Sequence, residues 1–179
     1  MNFDQLPEPL LAVAAAVDLA VFDVDGVMTD GRLLIHHDGT ESKSFHTRDG
    51  LGLKALMRRG IDVAVITARR STVVDRRMAE LGIAHYCQGQ EDKRAALDKL
   101  WSELERQPYH TAYMGDDLVD WPAMKACGLK AAPADAAPWI TARCDFVSNR
   151  PGGYGAVREL CELLLHARGA LESWQGGYA

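Results

Sequence analysis

Two carboxylates one residue apart, Asp23 and Asp25, stand directly behind a short apolar run, Leu19-Ala20-Val21-Phe22, and in front of Gly26. The run has the length and composition of a buried strand. In an open parallel sheet, ligands bind beyond the carboxyl ends of the strands. Asp23 and Asp25 in that position form a candidate nucleophile and acid/base pair. Asp-x-Asp-Gly also opens some calcium loops and many turns. A calcium loop needs a Glu at its twelfth position, and counting from Asp23 that position is Leu34. Calcium is therefore disfavoured. Thr67 ends a second apolar run, Ile61 to Ile66, where its hydroxyl can hold a phosphoryl oxygen or cap the next helix. Lys93 opens a helical pattern, so its charge opposes the helix dipole unless an anion lies near. Gly115-Asp116-Asp117, with Asp120 close behind, ends a third run, Ala112-Tyr113-Met114.

These residues need elements to carry them. Weaker strand candidates are 84–87, 128–132 and 145–147. Helical patterns cover 51–59, 71–81, 91–105, 118–127 and 155–167. Ser71 is a capping-type residue, and Gly82 a stop. A short helix at Leu10 to Val17 precedes the first strand. Strands alternating with helices predict an α/β, Rossmann-like three-layer fold with a parallel sheet. Residues 28–47 break the alternation. They hold two β-like pieces around His37-Asp38-Gly39, a good turn, and predict a β-hairpin inserted after the first strand. His36 and His37 read as hairpin surface. Residues 1–179 are expected to form one domain, with 170–179 a flexible tail.

Composition narrows the function classes. A net charge of −5 with no basic run disfavours a nucleic-acid partner. No apolar run approaches the roughly 20 residues of a membrane span, and no basic residue precedes Leu10 to Val17, which argues against a secretory signal. The four cysteines, Cys87, Cys127, Cys144 and Cys161, form no C-x-x-C pair and read as free thiols in a reducing cytoplasm.

The order Asp-x-Asp, Thr, Lys, Gly-Asp-Asp, each near a strand end, resembles the phosphatase branch of the haloacid dehalogenase superfamily. That resemblance implies in-line attack by Asp23, with Asp25 as general acid and then base. It implies a Mg²⁺ held by Asp23, the Asp25 backbone carbonyl and Asp116, because a carboxylate approaching a phosphate dianion meets like charge. Thr67 and Lys93 would cradle the transferring oxygens, and Asp117 and Asp120 would orient the metal waters and Lys93. Only the hairpin lies between Asp25 and the next helix, so the cap is minimal.

Further segments narrow the resemblance to the 3-deoxy-D-manno-octulosonate 8-phosphate phosphatase family of lipopolysaccharide synthesis. They are Phe45-His-Thr-Arg-Asp-Gly-Leu-Gly, Tyr86-Cys-Gln-Gly-Gln, Gly115-Asp-Asp-Leu-Val-Asp-Trp-Pro and Gly152-Gly-Tyr-Gly-Ala-Val-Arg-Glu. The resemblance spans about residues 15–168. It implies substrate contacts from Asp25, His46, Thr47, Arg48, Asp49, Gly50, Lys54, Arg69, Arg77 and Lys93, and assembly as a homotetramer. Arg suits a polyanionic sugar acid phosphate. The chain departs from the family at Ala68, usually Gly, and at Lys54, often Arg. Alternatives are a phosphatase for a nine-carbon sugar acid phosphate, and a catalytically silent regulatory or assembly domain.

Overall fold

A computed structural model describes residues 1–178. The apolar runs form six strands: β1 (Leu19–Phe22), β4 (Asp62–Ile66), β5 (His85–Cys87), β6 (Thr111–Met114), β7 (Leu129–Ala132) and β8 (Phe146–Val147). They pair in parallel in the order β5-β4-β1-β6-β7-β8. The chain moves outward from β1 through β4 to β5, then returns to β6 on the other side of β1. That reversal is a topological switch point, and it opens a crevice at the carboxyl ends of β1, β4 and β6.

Alternation within each strand fills two cores. Ala20, Phe22, Val63, Val65 and Met114 face α1 (Glu8–Ala16), α2 (Thr47–Arg58), α3 (Thr72–Leu81) and α7 (Ala156–Ala167). Leu19, Val21, Ala64, Ile66 and Tyr113 face α4 (Lys93–Leu104), α5 (Trp121–Met124) and α6 (Pro138–Thr141). Both faces are covered, which is why the strands read as continuous apolar runs.

The hairpin pairs β2 (Leu34–Ile35) with β3 (Glu41–Ser42), antiparallel. Asp38 Oδ1 accepts from the Thr40 N–H at 2.9 Å, and Gly39 takes the left-handed turn position. Leu33, Leu34 and Ile35 are exposed at 49%, 59% and 63%.

Three expectations change. The helix expected over 118–127 is cut to α5, because the Asp120 side chain occupies the Asp116 and Asp117 N–H groups and the preceding residues stay in a turn. Ser71 stands at the start of α3 but makes no capping bond; its N–H donates to Gln88 Oε1 at 2.7 Å. Where a flexible tail is expected, Leu171–Gly176 form α8. Trp174 is buried against the core, with the Arg158 guanidinium 4.4 Å from its ring centroid. The buried indole anchors this short helix to α7. Ala179 lies outside the described residues. None of the helices among the described residues is long and apolar enough to cross a membrane.

Candidate active site

β1 delivers Asp23 to the crevice, and the Asp23 N–H donates to the Met114 carbonyl at 3.0 Å, which locks the end of β1 to β6. The chain then turns sharply through Gly26, at φ +90°. A Cβ there would sit 2.1 Å from Asp116 Oδ2, so only glycine lets Asp116 lie against this turn. Gly152 serves the same closeness from the other side; its Cβ would fall 1.8 Å from the Gly26 carbonyl oxygen.

Lys93, the first residue of α4, is buried. Its Nζ lies 2.9 Å from Asp23 Oδ1 and donates to Asp120 Oδ1 at 2.7 Å. These carboxylates supply the anion its position at a helix start requires. Burial pulls the Lys93 ammonium down, yet Asp23 and Asp120 outweigh it and hold the group above its ordinary value. Asp120 is fully buried and fully engaged. It also accepts from Tyr113 OH at 3.2 Å and from the Asp116 N–H at 3.1 Å.

Asp23 and Asp120 thus share one ammonium, with the Asp116 carboxylate close beside them. Burial first, and Asp120 second, push Asp23 up; Lys93 only partly opposes them. Asp116 is raised to about 7 by the same two causes. Such a surplus of buried negative charge suits a hard divalent cation with oxygen ligands. Oxygens of Asp23, Asp116 and Asp120 lie within 4.8 Å of one another. Because Asp120 is committed to Lys93, Tyr113 and two backbone amides, Asp23 and Asp116 are the carboxylates available to a metal, and Asp120 positions Lys93.

Thr67 stands at the end of β4, its N–H donating to the Cys87 carbonyl at 2.9 Å and its own carbonyl accepting from Gln90 at 3.1 Å. Asp23, Asp25, Thr67, Ala68, Arg69, Lys93, Asp116, Asp117 and Val119 line a cavity of about 180 Å³. Larger clefts lie elsewhere, one of about 500 Å³ beside Arg70, Asp75 and Tyr86, and one of about 490 Å³ lined by Arg48, Arg150 and Arg158. Neither contains the paired aspartates, so the small cavity that they line is the candidate centre.

The chain brings Asp23, Asp25, Thr67, Arg69, Lys93 and Asp116 together. It does not bring the other expected substrate contacts to that cavity. His46 caps α2, its Nδ1 accepting from the Arg48 N–H at 3.2 Å, and Thr47 is exposed. Arg48 faces the separate cleft. Asp49 is buried and accepts the Arg158 N–H at 2.8 Å, burial raising its carboxyl to about 6. Gly50 leaves room for Arg77, whose Nη2 would be 2.5 Å from a Cβ, while Arg77 itself pairs with Glu80 at 2.8 Å. Lys54 is half-buried. Asp117 Oδ1 accepts the Leu118 N–H at 2.7 Å and so holds its own loop.

Two residues near the site escaped the sequence reading. Lys43 donates to Asp25, and Glu41 pairs with Arg69 at 3.3 Å. Their spacing of two on a hairpin strand was the available signal, since alternate residues share a face.

A six-stranded parallel sheet with this aspartate, threonine and lysine set around its switch point defines a hydrolase of the haloacid dehalogenase superfamily, phosphatase type. No family model matches the chain. It is 44% identical over 167 residues to the 3-deoxy-D-manno-octulosonate 8-phosphate phosphatase of Escherichia coli K12, covering 93% of this chain and 89% of the relative. The chain belongs to the 3-deoxy-D-manno-octulosonate 8-phosphate phosphatase family. The family member of Moraxella catarrhalis, solved with magnesium, phosphate and a KDO molecule, superposes with a TM-score of 0.93 at 40% identity, covering 95% of this chain and 98% of that one. A Legionella pneumophila protein described as a subfamily III A hydrolase of the same superfamily superposes at 0.91 with 46% identity, covering 95% and 93%.

Proposed function

We infer that the chain is a Mg²⁺-dependent phosphatase that hydrolyses 3-deoxy-D-manno-octulosonate 8-phosphate to the free sugar acid and phosphate, in lipopolysaccharide synthesis. The observation that carries this is the buried Asp23–Lys93–Asp120 contact beside Asp116 and Thr67, in a chain 44% identical to enzymes of that name. Asp23 attacks phosphorus in line, and the ester C–O–P bond breaks at the oxygen–phosphorus link. Asp25 gives its proton to the departing sugar oxygen. Asp25 then takes a proton from the water that attacks the aspartyl phosphate, which releases phosphate and restores Asp23. Lys93 orients Asp23, and with Thr67 it offers donors to the phosphoryl oxygens. Asp23, the Asp25 backbone carbonyl and Asp116 would hold the magnesium, which neutralises charge between nucleophile and phosphate.

A cavity of about 180 Å³ accommodates a phosphoryl group, not an eight-carbon acid. The rest of the substrate therefore needs a second wall. His46, Thr47, Arg48 and Lys54 supply it from a neighbouring copy in a closed tetramer, with Arg69 from the same chain, while the buried Asp49 and Gly50 and the half-buried Arg77 support that wall from behind. The exposed strip Leu33, Leu34 and Ile35 supports assembly through the hairpins. Four free thiols suit the cytoplasm.

A phosphate-release panel over sugar acid phosphates, with Mg²⁺ and with EDTA, tests the reading. The eight-carbon 3-deoxy acid phosphate should give a higher kcat/KM than nine-carbon analogues or p-nitrophenyl phosphate, and EDTA should abolish release. A clear nine-carbon preference overturns the substrate. Light scattering tests the assembly; an active monomer refutes it.

A further inference from the structure

The mechanism requires Asp25 to point at the leaving oxygen, yet nothing in the sheet holds its carboxylate there. Among the described residues the one hydrogen bond this side chain accepts comes from Lys43. Arg69 Nε is 3.8 Å from the other oxygen, too far to fix its direction. Lys43 comes from the hairpin, not from the strands that deliver the rest of the site. Its side chain is only 2% exposed, and it does not line the cavity. A buried ammonium persists only when paired, so Lys43 and Asp25 hold each other. Two residues back on the same edge, Glu41 pairs with Arg69 at 3.3 Å. The four side chains alternate in sign, Lys43, Asp25, Arg69, Glu41, and tie the hairpin to the acid and to a cavity arginine.

We infer that Lys43 is a positioning residue for Asp25, fixing the direction of the general acid from the hairpin without touching substrate. The inference rests on the phosphatase reading above. General acid catalysis is steep in geometry, and a small displacement of the donor removes most of its effect.

Leaving-group dependence tests it on the assembled, magnesium-loaded protein. A primary alkyl phosphate needs its alkoxide protonated; p-nitrophenyl phosphate expels a stable anion and does not. Their kcat/KM values report the steps up to departure of the alcohol. Lys43→Met should lower kcat/KM on the alkyl ester about 10- to 100-fold and on the aryl ester less than about 3-fold. Lys43→Arg should recover most of the alkyl activity. Asp25→Asn should show the same bias, larger, and adding Lys43→Met to it should cost nothing further, since two residues acting through one function are not additive. Equal losses on both esters, or an additive double variant, overturn the role of Lys43. An Asp25→Asn protein without leaving-group bias overturns the acid assignment instead. If Lys43→Met fails to fold, Lys43→Gln, which keeps a donor of shorter reach, is held to the same ratio.

Discussion

Asp18 and Asp23 stand at opposite ends of the four-residue strand β1, and each meets a cation. At the amino end, Arg106 donates through Nε and Nη2 to Asp62 Oδ2, at 2.9 and 2.7 Å, and its Nη1 reaches Asp18 at 3.4 Å. His110 Nδ1 lies 3.9 Å from Asp18. Two carboxylates share the Arg106 guanidinium there, partly open to water, which screens what is left of their charge. At the carboxyl end, Asp23 and Asp120 flank Lys93 out of water with the partly buried Asp116 beside them, and burial raises Asp23 and Asp116. One end spreads charge to hold elements together. The other concentrates unbalanced charge that only a cation and a phosphate complete. Unrelieved electrostatics of that kind lower stability and mark functional sites.

The largest effect belongs to Asp23. Asp23→Asn should lower phosphate release by about 10⁴-fold or more, because the uncatalysed reaction is so slow. The same change should stabilise metal-free protein by on the order of 1–3 kcal/mol, seen as a higher Tm, because it removes an ionisable group from a buried, carboxylate-rich site while Lys93 keeps Asp120. Activity lost together with stability would mean that this end is structural.

Metal is the next lever. Adding Mg²⁺ to EDTA-treated protein should restore activity and raise Tm in a concentration-dependent way. Full turnover in metal-free protein would remove the charge-completion argument.

The pH dependence of metal-free protein follows from the same imbalance. The folded Asp116 carboxyl sits at about 7 against an ordinary 3.8, and Asp23 is raised too. A raised acid contributes its stability fully below the unfolded value, and that contribution is lost as pH rises through the folded value. Metal-free Tm should fall between pH 5 and pH 8, and Mg²⁺ should offset the fall most at pH 8. Scanning calorimetry that finds a flat or rising Tm over that window would sink the assignment of raised carboxyls.

The smallest effect belongs to the amino end. Arg106→Ala should cost about 0.5–1.5 kcal/mol by denaturant unfolding and leave kcat/KM within about twofold. A large activity loss there would show that the two ends are coupled through β1.

Some residues were readable before any fold was known. Asp23, Asp25, Thr67, Lys93 and Asp116 each follow or open a periodic element, and their order along the chain survives translation into space. Lys93 carried its own flag, a cation at a helix start. The hairpin turn was legible in Asp38-Gly39. What stayed hidden had weak local signal. Trp174 near the chain end gave no periodic pattern, because its helix forms by docking on α7 and not by propensity. The turn ahead of α5 was hidden because one side chain, Asp120, competes for backbone amides.

The sequence by itself determined the alternation of apolar strands with helices, and so the parallel sheet, the strand ends and the residues placed there. Period and burial are local properties, and each element needs only its own residues to declare them. Only the tertiary structure decided which of those residues share a cavity. It decided that Asp120 is engaged by Lys93, Tyr113 and backbone amides. It turned Asp49 inward onto α7, and it brought Lys43 from a separate hairpin onto Asp25. Those pairings join residues far apart along the chain, fixed by how layers pack, and the free energy of a buried charge depends on the partner that packing delivers.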